Sequence, residues 1–424
     1  MMRSSPDAKR RIPMHSRIKL ISWIRITLFI IFVILILSPV IDWSFSLVLL
    51  AALLFVFALK GSVNLIRKKA AVRPSRRSTR VWKRLLTAVA LLISLIPPIL
   101  FPQYRAPEVT GEYEVRTAVY TYTDPDRMEG FTDTGERRRV NVKFWYPHYA
   151  GGTYPLVVFS HGAYGVRESN TSTFTELASH GYVVVSIDHP YHSFYTQGMD
   201  GKVTMVNAEY MREVNDSNKD GVYTVEELYG LTRKWMKLRT GDMNLVIDKI
   251  LEKAASNEDP VYQRIDTEHI GVIGHSMGGA ASVALGRERS DVDAVVNLDA
   301  PFFTELVYDR KMNDLAAKDE PYRVPLLNIY TDDVWRQLGK NSAYAANNTG
   351  NPNFKDAYTV HFEGAKHLSL TDLPLFSPIL ANMLQRGQAD IDKYYCIETM
   401  NRLILEFYDY TLKGIGQFAP QAVY

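Results

Sequence analysis

Residues 274–278, Gly-His-Ser-Met-Gly, set Ser276 between two glycines, directly after the apolar run Ile270–Ile273 and before the small-residue stretch Gly279–Leu285. That order reads as a strand, a sharp turn and a helix. Glycine is needed on both sides because a Cβ there would collide with the neighbouring strand or helix while the serine is held in a strained conformation. A hydroxyl so presented becomes a nucleophile when an imidazole takes its proton and a carboxylate holds the imidazole's other nitrogen. His367, within Gly-Ala-Lys-His-Leu-Ser at 364–369, follows the last strand pattern and is placed to reach back over a sheet end. His361 alternates inside that strand, Tyr358–Phe362, where a packed or surface role is expected. The residues thus point to Ser276 as nucleophile and His367 as base.

The acid is less well specified. Asp299 ends the apolar run Ala294–Leu298, while Asp332 and Asp333 follow the next run, Leu326–Tyr330. Either strand end can serve the same histidine, and spacing does not separate them. Acyl transfer also needs preorganised N–H donors for the developing oxyanion. One is the amide of Met277, after the nucleophile; the other is expected from His-Gly-Ala-Tyr-Gly at 161–165, with Ala163 as donor and Gly162 permitting close approach. His161 is read as a loop lock. His189 and His192 are read as structural or lid residues, since no cysteine or carboxylate accompanies them at metal-ligand spacing.

A second pattern lies in the long segment from Asp188 to about Leu231. Residues 216–227, Asp-Ser-Asn-Lys-Asp-Gly-Val-Tyr-Thr-Val-Glu-Glu, fit D-x-[DN]-x-[DN]-G-x5-E at every specified position. The expected ligands of a structural Ca2+ are Asp216, Asn218, Asp220, the Val222 carbonyl, Thr224 and a bidentate Glu227, with Gly221 at the turn. Ester chemistry itself requires no cofactor. Cys396 is the only cysteine, which excludes an intrachain disulfide and reads as a small buried apolar residue.

These groups need a rigid frame. From about Gly111 short β-branched and aromatic runs alternate with helical stretches, the pattern of an α/β domain with a mostly parallel sheet and helices on both faces. Strands are expected at 140–146, 156–160, 182–187, 270–273, 294–298, 326–330 and 358–362. Helices are expected at 173–179, 238–255, 279–287 and 396–412. The central strands read as unbroken apolar runs, as strands buried on both faces require. Residues 105–424 would form this domain, with a lid insertion at about 189–231.

The first hundred residues are of another kind. Segments at about 24–41, 44–60 and 84–102 are nearly free of charge and approach the length of membrane-crossing helices, flanked by Trp23, Trp43, Trp82 and Tyr104. Arg3, Lys9, Arg10, Arg11, Arg17 and Lys19 precede them, and the stretch from Lys60 to Arg84 is basic without an acid. That asymmetry predicts a multi-pass protein of the cell membrane with residues 1–104 as its membrane domain, a cytoplasmic N-terminus and an extracytoplasmic catalytic domain. The net charge of +3 reflects these flanks and carries no nucleic-acid signature.

From about Val142 to Gly414 the chain resembles the platelet-activating-factor acetylhydrolases of the α/β-hydrolase fold, the plasma and type II enzymes and their bacterial relatives. The matching stretches are Tyr154–Gly162, Leu177–Tyr182, Gly274–Ala280, Leu298-Asp299-Ala300 and the His367 segment. In that family the acid lies in a Leu-Asp-Ala segment after the nucleophile's helix, so the resemblance implies Asp299. It also implies calcium-independent hydrolysis of short or oxidised acyl chains of glycerophospholipids. The membrane segments, the 216–227 pattern and Ala163 in place of a leucine depart from the animal enzymes. A general carboxylesterase, acyltransferase or polyester hydrolase is the alternative within enzymes. A non-catalytic, calcium-responsive membrane protein is the alternative outside them.

Overall fold

A computed structural model describes residues 14–66, 77–148, 151–256 and 259–424. The chain divides into two compact units, one running to Arg105 and including Phe376–Leu380, the other made of residues 106–375 and 381–424.

The first unit contains helices α1 (Met14–Leu37), α2 (Val48–Ile66) and α3 (Arg77–Leu100). Each holds a stretch long and apolar enough to cross a membrane: Ile18–Leu37, Phe45–Ile66 (with the short turn before α2) and Val81–Leu100. The first stops at Leu37 rather than residue 41, because Pro39 cannot continue a helix and the Ser38 hydroxyl donates to the Leu35 carbonyl at 2.7 Å. The second runs beyond residue 60. Helices α1 and α2 approach closely at Gly61, where a Cβ would lie 2.8 Å from the Ser22 carbonyl oxygen, and Phe29 meets Phe55 edge-on at 5.7 Å. Small residues at such a crossing permit the tight packing on which helix association in lipid depends. Leu28, Ile34 and Leu37 face outward and remain exposed. Of the basic flanks, residues 1–13 with Arg3, Lys9, Arg10 and Arg11, and residues 67–76, lie outside the described residues.

The second unit is built on eight strands: β1 (Val115–Met128), β2 (Arg137–Pro147), β3 (Tyr154–Ser160), β4 (Val183–Asp188), β5 (Ile265–His275), β6 (Ala294–Leu298), β7 (Leu326–Thr331) and β8 (Ala357–Phe362). Their spatial order is 1-2-4-3-5-6-7-8, antiparallel from β1 to β4 and parallel across β4, β3, β5, β6, β7 and β8. Strand alternation divides the core in two. Leu156, Val158 and Val272 pack with helices α6 (Val225–Ser256) and α7 (Met277–Glu288) through Met243, Ile247, Ala280 and Val283. Val157, Phe159, Ile273 and Val296 pack with α4 (Thr171–Ser179) and the terminal α8 (Lys393–Leu412) through Phe174, Leu177, Met400 and Phe407. This is the α/β-hydrolase architecture, a mostly parallel sheet covered on both faces. Strand β1, absent from the sequence reading, is an edge strand whose burial alternates along a polar run, so it lacks the apolar signature of the buried strands.

Between β4 and β5 the chain forms a small hairpin of Tyr195–Gln197 with Val203–Met205, then α5 (Ala208–Ser217), then α6. The insertion ends earlier than expected, because α6 begins at Val225. The Thr224 hydroxyl accepts from the Glu227 amide at 3.2 Å while the Glu227 carboxylate accepts from the Thr224 amide at 2.7 Å, a reciprocal capping box.

Candidate active site

Sheet connectivity delivers the candidate groups to one edge, because the parallel strands β3, β5, β6 and β8 all end there. Ser276 follows β5 directly and opens α7 with φ +53° and ψ −126°, a conformation foreign to side-chain-bearing residues and costing roughly 1–3 kcal/mol. The flanking glycines make it attainable: a Cβ on Gly274 would overlap the Gly278 carbonyl, and a Cβ on Gly278 would overlap that of Ser160. The Ser276 amide donates to Leu298 O at 2.8 Å and ties the turn to β6.

One residue beyond that carbonyl lies Asp299, buried and also at positive φ (+58°). Its Oδ1 accepts from the Thr331 amide at 2.7 Å, while its Oδ2 accepts from the Thr331 hydroxyl at 2.8 Å and lies 2.7 Å from His367 Nδ1. His367 is anchored at its backbone too, its amide donating to Asp333 Oδ2 at 3.0 Å and its carbonyl accepting from His275 Nε2 at 2.9 Å. The bond from Nδ1 to Asp299 leaves Nε2 as the free ring nitrogen, on a side chain 34% exposed. Burial pulls the His367 pKa down, but the hydrogen bond to Asp299 and the charges of Asp299 and Asp333 outweigh it, leaving the pKa raised from 6.5.

The rival residues are occupied elsewhere. His361 bonds Asp332 Oδ1 through Nε2 at 2.8 Å and stacks on Trp335 at 4.6 Å, while Asp332 also holds Arg336 at 2.7 Å. Asp333 touches His367 only at the backbone amide. His275, not singled out in the sequence, proves to matter. Its ring lies 4.6 Å from that of His367, and burial above all keeps its pKa down at about 3, so that a neutral imidazole donates to the His367 carbonyl. Its place between Gly274 and Ser276 was the available signal.

The loop after β3 comes close to the turn: a Cβ on Gly162 would lie 3.0 Å from His275 Nδ1 and 3.2 Å from Ser276 Cβ. Met277, first in its helix, has no intrahelical acceptor for its amide, and among the described residues neither it nor the Ala163 amide donates to a protein acceptor. Both amides belong to residues beside Ser276 or beside the glycine that approaches it. Such donors can hold a developing oxyanion.

Behind this loop lies a polar cluster that the sequence reading did not assemble. Ser160 Oγ is 2.9 Å from His189 Nε2, and His189 Nδ1 is 3.0 Å from Asp242 Oδ2, a second serine-histidine-aspartate chain. All of it is buried, and burial first of all lowers the His189 pKa to about 4. Without access this chain is structural, and Arg138 completes it with bonds of 2.6 Å to both Asp242 oxygens. His161 locks the loop, Nδ1 on Gly162 O at 2.6 Å and Nε2 on Ser193 Oγ at 2.7 Å; His192 stacks on Tyr210 at 3.7 Å.

The calcium expectation finds no support in the geometry of the described residues. Asp216 belongs to α5 and pairs with Lys219 at 2.6 Å, Asn218 donates to Val214 O at 2.7 Å, and Glu227 serves the Thr224 cap. Gly221 has the expected positive φ of +74°, but with Val222 exposed and Asp220 outside any cluster, no three acidic, histidine or cysteine residues gather as metal ligands among the described residues. The segment is spent on ending one helix and starting the next. Cys396 is buried in the α8 core, as expected.

Comparison with known proteins bears on this arrangement. The profile of the family described as platelet-activating factor acetylhydrolase, isoform II, matches residues 131–418, more than half of the chain. The chain belongs to that family. The platelet-activating factor acetylhydrolase of Canis lupus familiaris is 24% identical over 281 residues, covering 62% of this chain and 58% of that protein. Cutinase cut1 of Thermobifida fusca is 25% identical over 242 residues, covering 55% and 61%. The chain thus spans less than two thirds of the length of these relatives. The solved structure of a ferulic acid esterase from Streptomyces cinnamoneus superposes with a TM-score of 0.52 at 21% identity, covering 76% of this chain and 96% of that one, a likeness of fold.

Proposed function

We propose that the chain is a membrane-anchored serine hydrolase of carboxylic esters. The observation that carries the reading is the Asp299–His367 bond of 2.7 Å beside the strained Ser276 turn, with the amides of Met277 and Ala163 unengaged. Ser276 Oγ attacks the ester carbonyl as His367 Nε2 takes its proton, and the carbonyl oxygen becomes an oxyanion held by the two amides. The tetrahedral intermediate collapses as His367 returns the proton to the departing alkoxide. Water, deprotonated by His367, then releases the acid from the acyl-enzyme. Asp299 fixes the ring's orientation and tautomer throughout. No cofactor takes part in these steps.

The family's description as platelet-activating factor acetylhydrolases supports acetyl-type esters of phospholipids as substrates, and the sequence resemblance extends this reading to short or oxidised acyl chains. Relatives named cutinases support a second reading, a broader carboxylesterase or polyester hydrolase. The full-length protein in nanodiscs, assayed on p-nitrophenyl acetate and on phosphatidylcholines of increasing sn-2 chain length, separates them. Steep decline with chain length favours the first, and preference for simple esters the second. The apolar helices support anchoring, and the basic flanks support a cytoplasmic N-terminus with the hydrolase unit outside the cell membrane. Protease accessibility on intact cells tests that orientation.

A further inference from the structure

Arg239, on α6, is fully buried, yet it forms no ion pair among the described residues. Its Nη1 donates to His161 O and lies 3.4 Å from Ser160 Oγ, its Nη2 donates to Gly162 O at 3.2 Å, and its Nε has no partner. A buried guanidinium with an unmet donor and no carboxylate in contact, Asp242 one turn along α6 acting on it only at longer range, is costly for folding. Its bonds to backbone go to two consecutive carbonyls of the loop that approaches Ser276.

The geometry of the peptide gives that placement a consequence. No peptide bond in the described chain is cis, so the Gly162 carbonyl and the Ala163 N–H, which share one planar amide, point in opposite directions. Arg239 Nη2, His161 Nδ1 and the Gly165 amide all hold the carbonyl end, at 3.2, 2.6 and 3.2 Å. The amide end is thereby turned away from the cluster and left without a protein acceptor. A cation on the carbonyl also polarises the amide and strengthens its N–H as a donor. The same cluster also touches the side chain of Met277. Tyr210, whose hydroxyl lies beside Arg239, places that hydroxyl 3.1 Å from the sulfur of Met277.

We propose that Arg239 is a positioning residue for oxyanion stabilisation, an unpaired buried cation that aims and polarises the Ala163 N–H through the Gly162 carbonyl. It touches no substrate, and it acts on the transition state rather than on the bound ester. The proposal rests on the ester-hydrolase reading above. A lost oxyanion donor costs about 100- to 1000-fold in kcat, so a donor left in place but loosened should cost about 10- to 100-fold.

The test uses the full chain in nanodiscs with p-nitrophenyl acetate. A trifluoromethyl ketone, which adds to a serine as an oxyanion, is compared with the matching methyl ketone. Arg239→Met should lower kcat by about 10- to 100-fold with KM within threefold, and weaken the trifluoromethyl ketone by the same factor while sparing the methyl ketone. Arg239→Lys, which restores a cation, should recover part of both losses, a rescue that a merely structural role would not confine to kcat. Parental kcat in a folded Arg239→Met, or an unchanged trifluoromethyl ketone affinity, would overturn the proposal. Should Arg239→Met lack a cooperative melt, Arg239→Gln, which removes the charge but keeps a polar side chain, decides alone: parallel losses in kcat and ketone affinity support the proposal, and parental values overturn it. Ser276→Ala in the same assay separates the two claims. Turnover surviving there defeats the hydrolase reading, whereas turnover abolished there but intact in Arg239→Met defeats only the role of Arg239.

Discussion

Replacing Asp299 by asparagine removes one charge and turns one of two engaged oxygens into an NH2 donor. Oδ1 accepts from the Thr331 amide at 2.7 Å, a bond that only an oxygen can keep, so the new NH2 takes the place of Oδ2 and faces His367 Nδ1 at 2.7 Å. A donor there forces Nδ1 to accept and places the imidazole proton on Nε2, which then cannot take one from Ser276. The fold should survive, since shape and the Thr331 anchor persist. The expected loss is about 10^4-fold in kcat, roughly 5.5 kcal/mol of transition-state stabilisation, with KM little changed. Initial rates on p-nitrophenyl acetate at pH 7.5, with parent and variant matched by circular dichroism, give the comparison. Asp332→Asn and Asp333→Asn should stay within tenfold of the parent, because Asp332 serves His361 and Arg336 and Asp333 reaches only the His367 amide. A variant at 299 retaining a tenth of parental kcat, beside a collapse at 332 or 333, would refute the reasoning.

Further outcomes follow from the same contacts. The base must be neutral in the free enzyme, so kcat/KM should rise tenfold per pH unit to a midpoint above 6.5, the direction in which Asp299 moves His367 against the effect of burial. In Asp299→Asn burial remains and the midpoint of any residual activity should fall; an unmoved midpoint would assign the limb to another group. His275→Leu deletes the donor to the His367 carbonyl at 2.9 Å, and should cost about 1–2 kcal/mol, some 5- to 30-fold in kcat. Parental kcat would show that the ring is held without it. Acid stability tests the cluster behind the loop. Burial holds His189 near pKa 4 in the folded state against 6.5 for the free side chain, so on lowering the pH the unfolded chain takes the proton first. Its contribution is constant above pH 6.5 and is lost between 6.5 and 4 at about 1.4 kcal/mol per unit, roughly 3 kcal/mol in all. Urea melts of His189→Gln over that window should show a slope shallower by one proton; equal slopes would mean that His189 is protonated when folded.

The parallel core was legible because strands buried on both faces are written as unbroken apolar runs, and β3, β4, β6, β7 and β8 fall within a residue or two of their expected places. Strand β1 was not, since an edge strand needs only half its residues buried. At the candidate site, the residues proposed to act on the ester are marked in the sequence by local turns, as around Ser276, or by position after a strand, as at His367. Choosing among Asp299, Asp332 and Asp333 needed the family pattern, because the choice depends on which strand end a ring faces across the sheet. Arg239, Asp242 and Arg138 were invisible for a related reason. Their roles are contacts across about 50 to 105 residues of chain, and a charged residue in a helix or an outer strand reads as a solvated face until its burial is known. The 216–227 segment shows the opposite case, a pattern specific in residue types whose carboxylates pair here with Lys219 and the Thr224 cap.

Labelling the full-length protein with a fluorophosphonate and mapping the adduct by mass spectrometry tests the central claim most directly. One phosphonyl group per chain is expected, on the peptide containing Ser276, with ester turnover lost in proportion to labelling and no adduct in Ser276→Ala. An adduct on Ser160, or turnover that persists once Ser276 is fully modified, would contradict it.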